Sequence, residues 1–421
     1  MSDNIYDELK ARGFVAQVSD EEALRRKLGT GPVTFYVGFD STASSLHAGS
    51  LVPIMAMVHL RRAGHRAIAV VGGGTTMVGD PSGRTEMRQM LDERTIRAQG
   101  QAIHIQLARY LHFDGKNAIA VDNADWLLPL NYIAFLRDIG RHFSVNRMLA
   151  AEAYKLRMEK GLSFIEFNYQ LLQAYDFLNL YREYNCTLQM GGDDQWGNIL
   201  AGVDLVRRVE GGAAEALTFP LLTTASGTKM GKTAQGAVWL DAGLFSPYDF
   251  YQYWVNCDDR DIWRFLKIFT LLPLPEIEST RENCESGIAL NMAKRVLAYE
   301  ATKITHGEKA AEEAKAASEA AFLKVNNAAH GLVSDNVRLL PTTTVPRSRL
   351  EAGISPAGLF TEVGLTPSRK EAKRMIEQGG LYVNDERLDS VERLVTLKDL
   401  GPDGGLLLKA GKKKVHRVVA G

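Results

Sequence analysis

Short apolar runs alternate with longer stretches of helical periodicity through the first half of the chain. Val33 to Phe39 is rich in β-formers and runs into Gly38-Phe39-Asp40. A polar cluster follows, then a helix is expected from about Leu46 to Arg62, with Pro53 its only proline. Arg66 to Val71 is the next expected strand, closed by Gly72-Gly73-Gly74, and Asn117 to Val121 and Thr187 to Met190 are short and bounded in the same way. Strands alternating with helices of this length predict a parallel sheet with crossover helices. Such sheets bind ligands where the carboxyl ends of the strands turn into loops. Chemistry-bearing residues are therefore expected just after the strands.

From about Pro247 to His330 the pattern turns helical: Asp258 to Phe269, Ser286 to His306 and the Ala/Glu/Lys-rich Glu308 to Lys324 lack strand signals. The Pro/Thr-rich passage Leu340 to Pro346 then reads as a linker. A last block from about Gly353 holds a basic helix, Ser368 to Gln378, and a turn at Asn384-Asp385. The expected divisions are 1–246, 247–335, a linker 336–352, and 353–421.

Composition narrows the class. The 421 residues are 45% hydrophobic and 24% charged, the profile of a globular protein. Fifty Lys+Arg balance fifty Asp+Glu, for a formal net charge of zero. Nucleic acid would therefore have to be held by local patches rather than bulk attraction. No apolar run approaches the ~20 residues needed to span a bilayer, and the start, Met1 to Glu8, is acidic rather than basic-then-apolar. Three widely spaced cysteines, Cys186, Cys257 and Cys284, suggest neither a disulfide framework nor a zinc site. A cytoplasmic protein without membrane contact is expected.

Four features carry chemistry. Ser45 to Ser50, with His47 and Gly49, follows the first strand at an expected helix start, where unpaired N–H groups suit phosphate; an ordinary capped helix would look similar. Gly72 to Thr75 leads into Gly79-Asp80-Pro81-Ser82-Gly83-Arg84, where glycines permit close approach of backbone to a ligand or simply a tight turn. Tyr169, Gln173 and Asp176, spaced i, i+4, i+7, share one helix face and place a ring, an amide and a carboxylate in one stripe. Lys229-Met230-Gly231-Lys232-Thr233 sets two lysines about a glycine, suited to a moving triphosphate or to plain exposure. Gly192-Asp193-Asp194-Gln195 follows another strand and fits the same sheet end.

Taken together and in this order, these residues resemble the bacterial tyrosyl-tRNA synthetases of class I. His47-Ala48-Gly49-Ser50 is similar to the HIGH signature and Lys229 to Thr233 to the KMSKS signature. Gly38-Phe39-Asp40, Gly79 to Gly83, Leu172 to Phe177 and Gly191 to Asn198 belong to the same resemblance, which covers nearly the whole chain. It implies a Rossmann-like α/β catalytic domain, an α-helical anticodon-arm domain and a small α+β RNA-binding domain similar to a ribosomal small-subunit protein. It implies activation of L-tyrosine with ATP, accompanied by Mg2+, and transfer to tRNA(Tyr) by a homodimer, with Phe164 near the twofold contact and no structural metal.

The resemblance also implies roles. Tyr36 and Asp176 would bracket the substrate's phenol hydroxyl, while Asp80, Tyr169 and Gln173 would hold its ammonium group. Asp40 and Gln195 would line the reacting centre, and Gly192 and Asp194 would bind the ribose, with Gly49 and Ser50 against the nucleotide. Thr42 and His47 would meet the γ-phosphate end, joined by Lys229, Lys232 and Thr233, with Arg84 and Arg88 assisting pyrophosphate. Arg369, Lys370, Lys373, Arg374, Lys412, Lys413 and Lys414 would contact tRNA. Two departures stand out: Ser50 occupies the place of the second HIGH histidine, and Val37 that of a ribose-touching cysteine. A tryptophan-specific relative shares the signatures, and a non-catalytic RNA-binding paralogue is the other alternative. Tyr36 with Asp176 favours a hydroxyl-bearing ring, and the loop lysines and Asp80 are retained.

Overall fold

The computed structural model describes residues 4–82, 88, 90–150, 154, 157–227, 230–233, 236–282, 287–323, 340–401, 404–411 and 414–421. They form two compact units. One comprises Met1–Lys232, Ala237–Asp241 and Trp263–Asn283, the other Thr233–Gly236, Ala242–Ile262 and Cys284–Gly421.

The first unit is built on five strands: β1 (Thr34–Asp40), β2 (Arg66–Gly72), β3 (Ala118–Asp122), β4 (Cys186–Gly192) and β5 (Glu215–Phe219). Their order is β3-β2-β1-β4-β5, and every neighbouring pair is parallel. Parallel strands covered on both faces are close to continuously apolar, and Ala67 to Val71 of β2 are all buried. The chain leaves β1 toward β2 and β3, then returns to add β4 and β5 on the other side. That reversal opens a crevice between the carboxyl ends of β1 and β4.

The sequence pattern did not mark β5, because Glu215 and Thr218 interrupt its apolar run. Both are buried with partners: Ser19 Oγ donates to Glu215 Oε2 at 2.7 Å, and Thr218 Oγ1 donates to Asp193 Oδ1 at 2.7 Å. The helix expected from Leu46 begins at Leu51 instead and ends at Arg62, preceded by a single 3-10 turn over Ala48–Ser50. The Ala48 N–H donates to the Val238 carbonyl at 2.8 Å, and His47 Nδ1 accepts from the Gly49 N–H at 3.0 Å. Those two bonds hold the start of the segment out of helical geometry. Near the amino end, the buried Arg12 guanidinium donates to the carbonyls of Lys267 at 3.0 Å and Leu272 at 2.9 Å, and also to Glu8.

In the second unit the helix Pro247–Val255 packs on Gly287–His306 and Glu308–Leu323. A five-stranded sheet follows, ordered Glu386–Arg387, Leu381–Val383, Gly405–Ala410, Lys414–Ala420 and Thr342–Val345. The passage read as a linker therefore needs correcting. Thr342–Val345 is an edge strand parallel to Lys414–Ala420, and Arg347–Ala352 is helical. Three threonines and a valine suit an extended, half-covered strand, while Pro341 and Pro346 sit at its ends, where no ladder donor is lost. The turn expected at Asn384-Asp385 is present with φ of 51° and 69°, the left-handed pair of a type I′ hairpin. Tyr248, Ala317 and Ala320 share an apolar cluster with Leu340, Leu407 and Val415, which joins helices to sheet. Among the described residues, no helix is long and apolar enough to cross a membrane.

Candidate active site

A cavity of about 630 Å³ opens at the crevice between β1 and β4. Tyr36, Asp40, Thr42, His47, Ser50, Asp80, Arg88, Tyr169, Gln173, Asp176, Gly192, Asp194 and Gln195 all line it. Segments separated by more than 150 residues are thus gathered at the sheet end, as the strand positions predict.

One wall is the helix Phe164–Tyr184. A capping box starts it: Ser163 Oγ accepts from the Glu166 N–H, and Glu166 accepts from the Ser163 N–H. Two turns in, the i, i+4, i+7 stripe turns Tyr169, Gln173 and Asp176 into the cavity. Phe164, at the helix start, is instead 70% exposed.

At the cavity floor the buried Asp176 carboxylate meets neutral donors. Asn123 Nδ2 donates to it at 2.9 Å and Trp126 Nε1 at 2.7 Å. Burial pushes its pKa up to about 7, against the opposing pull of these two bonds. The Tyr36 hydroxyl is buried with no hydrogen-bond partner among the described residues; burial first, then the Asp176 charge, raises its pKa. The Gln173 carbonyl is likewise buried and unpartnered. A buried polar group without a partner costs free energy, so an occupant offering complementary groups would be favoured here.

Further along, Asp40 accepts from Thr75 Oγ1 at 2.9 Å and from the Tyr169 hydroxyl at 3.1 Å. Burial, then the neighbouring Asp80 charge, pushes the Asp40 pKa up to about 6. Asp80 accepts from Gln195 Nε2 at 2.7 Å and from the Ser82 N–H at 2.9 Å, and its carbonyl accepts from Arg88 Nε at 3.1 Å. Gly72 is required at the end of β2: a Cβ there would collide with the Asp40 carboxylate and stand 2.7 Å from Thr75 Oγ1. Carboxylates lining one cavity make a negative well suited to an ammonium group.

At the outer end, Gly49 and Gly231 bring two loops together. A Cβ on Gly231, whose φ is 80°, would lie 2.7 Å from the Gly49 nitrogen and 3.0 Å from His47 Nδ1. The loop carrying Met230 and Gly231 therefore rests directly on the His47 turn. Asp193 is tied to Gln17 and Thr218, whereas Asp194 lines the cavity. Arg84 and Lys229, and the side chains of Lys232 and Thr233, lie outside the described residues. In the second unit Arg369, Lys370, Lys373 and Arg374 are all exposed on the helix Arg369–Glu377, and Lys414 is exposed at a strand start; Lys412 and Lys413 lie outside the described residues.

Sequence reasoning missed Asn123, Trp126 and Gln189, and named Thr75 only as part of the glycine-rich turn after β2. Asn123 immediately follows β3, so the sheet-end rule applied to that strand would have found it. Its side-chain carbonyl also accepts from the Gly74 N–H at 2.8 Å, tying the ends of β2 and β3 together.

Residues 28–323 match the family described as tRNA synthetases class I (W and Y). The chain belongs to that class, with the parallel sheet and sheet-end cavity described above. Residues 339–418 match the tyrosine–tRNA ligase SYY-like C-terminal domain. The tyrosine–tRNA ligase of Syntrophus aciditrophicus (strain SB) is 53% identical, over 98% of this chain and 97% of that protein. That of Desulfosudis oleivorans is 54% identical, over 99% of each. Within the class, then, the chain belongs with the tyrosine–tRNA ligases. Among solved structures, a C-terminally truncated mitochondrial tyrosyl-tRNA synthetase of Aspergillus nidulans superposes with a TM-score of 0.67 at 30% identity, covering 74% of this chain and 92% of that one.

Proposed function

We infer that the chain is a tyrosine–tRNA ligase that activates L-tyrosine with ATP and transfers it to tRNA(Tyr). The observation that carries this reading is the cavity floor, where the Asp176 carboxylate and the unpaired Tyr36 hydroxyl are buried together. An ionised carboxylate accepts and a phenol donates, so the pair seats a ring hydroxyl. An indole offers no oxygen there. A benzyl side chain would leave both groups unpaired, the condition under which such sites reject the analogue strongly, this family being the standard instance.

In this reading Asp80, Tyr169 and Gln173 receive the ammonium group. The tyrosine carboxylate, already ionised at neutral pH with a reference pKa of ~3.5, attacks the α-phosphate beside Asp40 and Gln195. No general base is needed; the work is alignment and stabilisation of charge on the departing pyrophosphate. Gly192 and Asp194 take the ribose, Gly49 and Ser50 face the nucleotide, and Thr42, His47, Arg84, Arg88, Lys229, Lys232 and Thr233 attend the phosphates. Mg2+ is taken to arrive with the triphosphate, as part of the nucleotide substrate. A terminal ribose hydroxyl of the tRNA then attacks the adenylate carbonyl, releasing AMP. Residues 1–246 serve as the catalytic domain, 247–335 as the anticodon-arm domain and 353–421 as the RNA-binding domain, with Arg369, Lys370, Lys373, Arg374 and Lys412 to Lys414 toward tRNA.

A homodimer in the cytoplasm completes the proposal. The helix Tyr132–Asp138 has no buried residue, and Tyr132, Ile133 and Leu136 are exposed, as is Phe164. Exposed apolar groups on one short helix suit a covering second copy. Pyrophosphate exchange into ATP, measured with each of the twenty amino acids, tests the central reading: exchange should depend on tyrosine, and exchange driven by tryptophan instead would overturn it.

A further inference from the structure

The helix Glu93–Leu111 buries Ile96, Ile103, Leu107 and Leu111, and sets the amide of Gln106 among them, 2% exposed. Burying an amide costs free energy unless its atoms are bonded, and this one is bonded to a segment 60 positions earlier. Gln106 Oε1 accepts from the Leu46 N–H at 2.9 Å, and Gln106 Nε2 donates to Ser45 Oγ at 3.1 Å. The orientation of the amide follows from Leu46, whose N–H can only donate. Ser45, also buried, donates its hydroxyl hydrogen to the Leu46 carbonyl at 2.7 Å and accepts from the Asp241 N–H at 3.1 Å. The one hydrogen and two lone pairs of that hydroxyl are thereby all committed. Beside it the Leu46 carbonyl accepts from the Leu240 N–H at 2.8 Å, and the Val238 N–H donates to the Gly231 carbonyl at 2.9 Å.

We propose that Gln106 is a positioning residue for the phosphate end of the reaction, holding the His47 turn and the segment 238–241 in register through Ser45 and Leu46. This rests on the ligase reading above, in which His47 attends the phosphates. Ser45, Leu46 and His47 line the cavity, yet the helix that follows begins only at Leu51. A stretch without a helical ladder is fixed by whatever bonds it finds outside itself, and here Gln106 supplies two. Through Val238 the same joint reaches the Met230-Gly231 loop. Charge on a departing pyrophosphate is stabilised by donors already in place, and a shift of about 1 Å set off far from the chemistry can cost about a hundredfold. Tyrosine is seated by Tyr36, Tyr169, Gln173 and Asp176, so its affinity does not depend on this joint.

The test uses the full chain with Gln106→Leu, which removes both bonds, and Ser45→Ala, which leaves the Leu46 N–H on the amide oxygen. Each is read by single-turnover adenylate formation and by tyrosine affinity in equilibrium dialysis. Gln106→Leu should slow the single turnover about tenfold or more while tyrosine affinity stays within about twofold. Ser45→Ala, the smaller change, should slow it about threefold. A residue that only packs its helix would lower the thermal transition and leave the turnover rate alone. A rate within about twofold of the unaltered chain overturns the proposal, read in Gln106→Leu or, where that variant lacks a cooperative thermal transition, in Ser45→Ala. So does a loss of tyrosine affinity that matches the loss of rate. Absence of tyrosine-dependent adenylate in the unaltered chain would instead end the ligase reading, and the proposal with it.

Discussion

Asp176 is held by two neutral donors rather than by a cation, which decides what its loss should do. On the proposed reading, Asp176→Ala removes the acceptor for the substrate hydroxyl, and it takes a partner from the Asn123 amide and the Trp126 indole N–H. Hydrogen bonds to charged groups contribute about 1.5–3 kcal/mol, so tyrosine affinity by equilibrium dialysis should fall at least about tenfold to a hundredfold. Unchanged affinity would remove the hydroxyl seat from the floor. Asp40 and Asp176 also set a pH signature. Their folded-state pKa values, pushed up to about 6 and about 7, lie above the usual carboxylate value, so the folded chain holds extra protons in between. Their contribution to stability is therefore greatest in acid and declines as pH rises toward 7. An ammonium group entering beside Asp80 and Tyr169 favours ionised Asp40, so tyrosine should bind more tightly as pH rises through 6, releasing a proton. Calorimetry at pH 6 in buffers of different ionisation heat reads this directly, and proton uptake would contradict it. The Tyr169, Gln173 and Asp176 stripe was legible because helical spacing alone aligns those side chains. Trp126 was not, since its indole acts through Asp176 on a helix 50 positions further on, whereas Asn123 stands directly after β3 within reach of the sheet-end rule.

At the level of elements, the contact between the His47 turn and the Met230-Gly231 loop is tightly constrained. An L-residue at the left-handed Gly231 costs roughly 1–2 kcal/mol in backbone terms, and its Cβ would also press on the Gly49 nitrogen. Gly231→Ala should slow adenylate formation in a single turnover by about tenfold or more, with tyrosine affinity held within about twofold. An unaltered rate would show that the loop need not sit on the turn. Strand and helix order in the first unit could be read from periodicity because burial on both faces leaves apolar runs. The departures share one cause, local pattern overridden by partners distant in sequence. Thr342–Val345 looked like a spacer until Lys414–Ala420 supplied its ladder, and Glu215 disguised a strand whose charge is met by Ser19.

Across the whole molecule, zero net charge confines attraction for RNA to local surfaces, and the exposed cations of the helix Arg369–Glu377 form one. Exchanging Arg369, Lys370 and Lys373 for Gln should raise KM for tRNA about tenfold and flatten its salt dependence by up to about three phosphate contacts. Tyrosine-driven pyrophosphate exchange should not change. A parallel loss of both activities would place those cations in the chemistry rather than in tRNA capture.

The clasp made by Arg12 bears on how the chain comes into being. Its two carbonyl seats lie 255 and 260 positions further on. At ~5–20 residues per second, a ribosome takes on the order of tens of seconds to deliver them. Throughout that interval the amino-terminal helix has its contacts with Glu21–Thr30 and Leu51–Arg62 but lacks this clasp, so a nascent polypeptide halted before Lys267 leaves the Arg12 guanidinium without its two carbonyl seats.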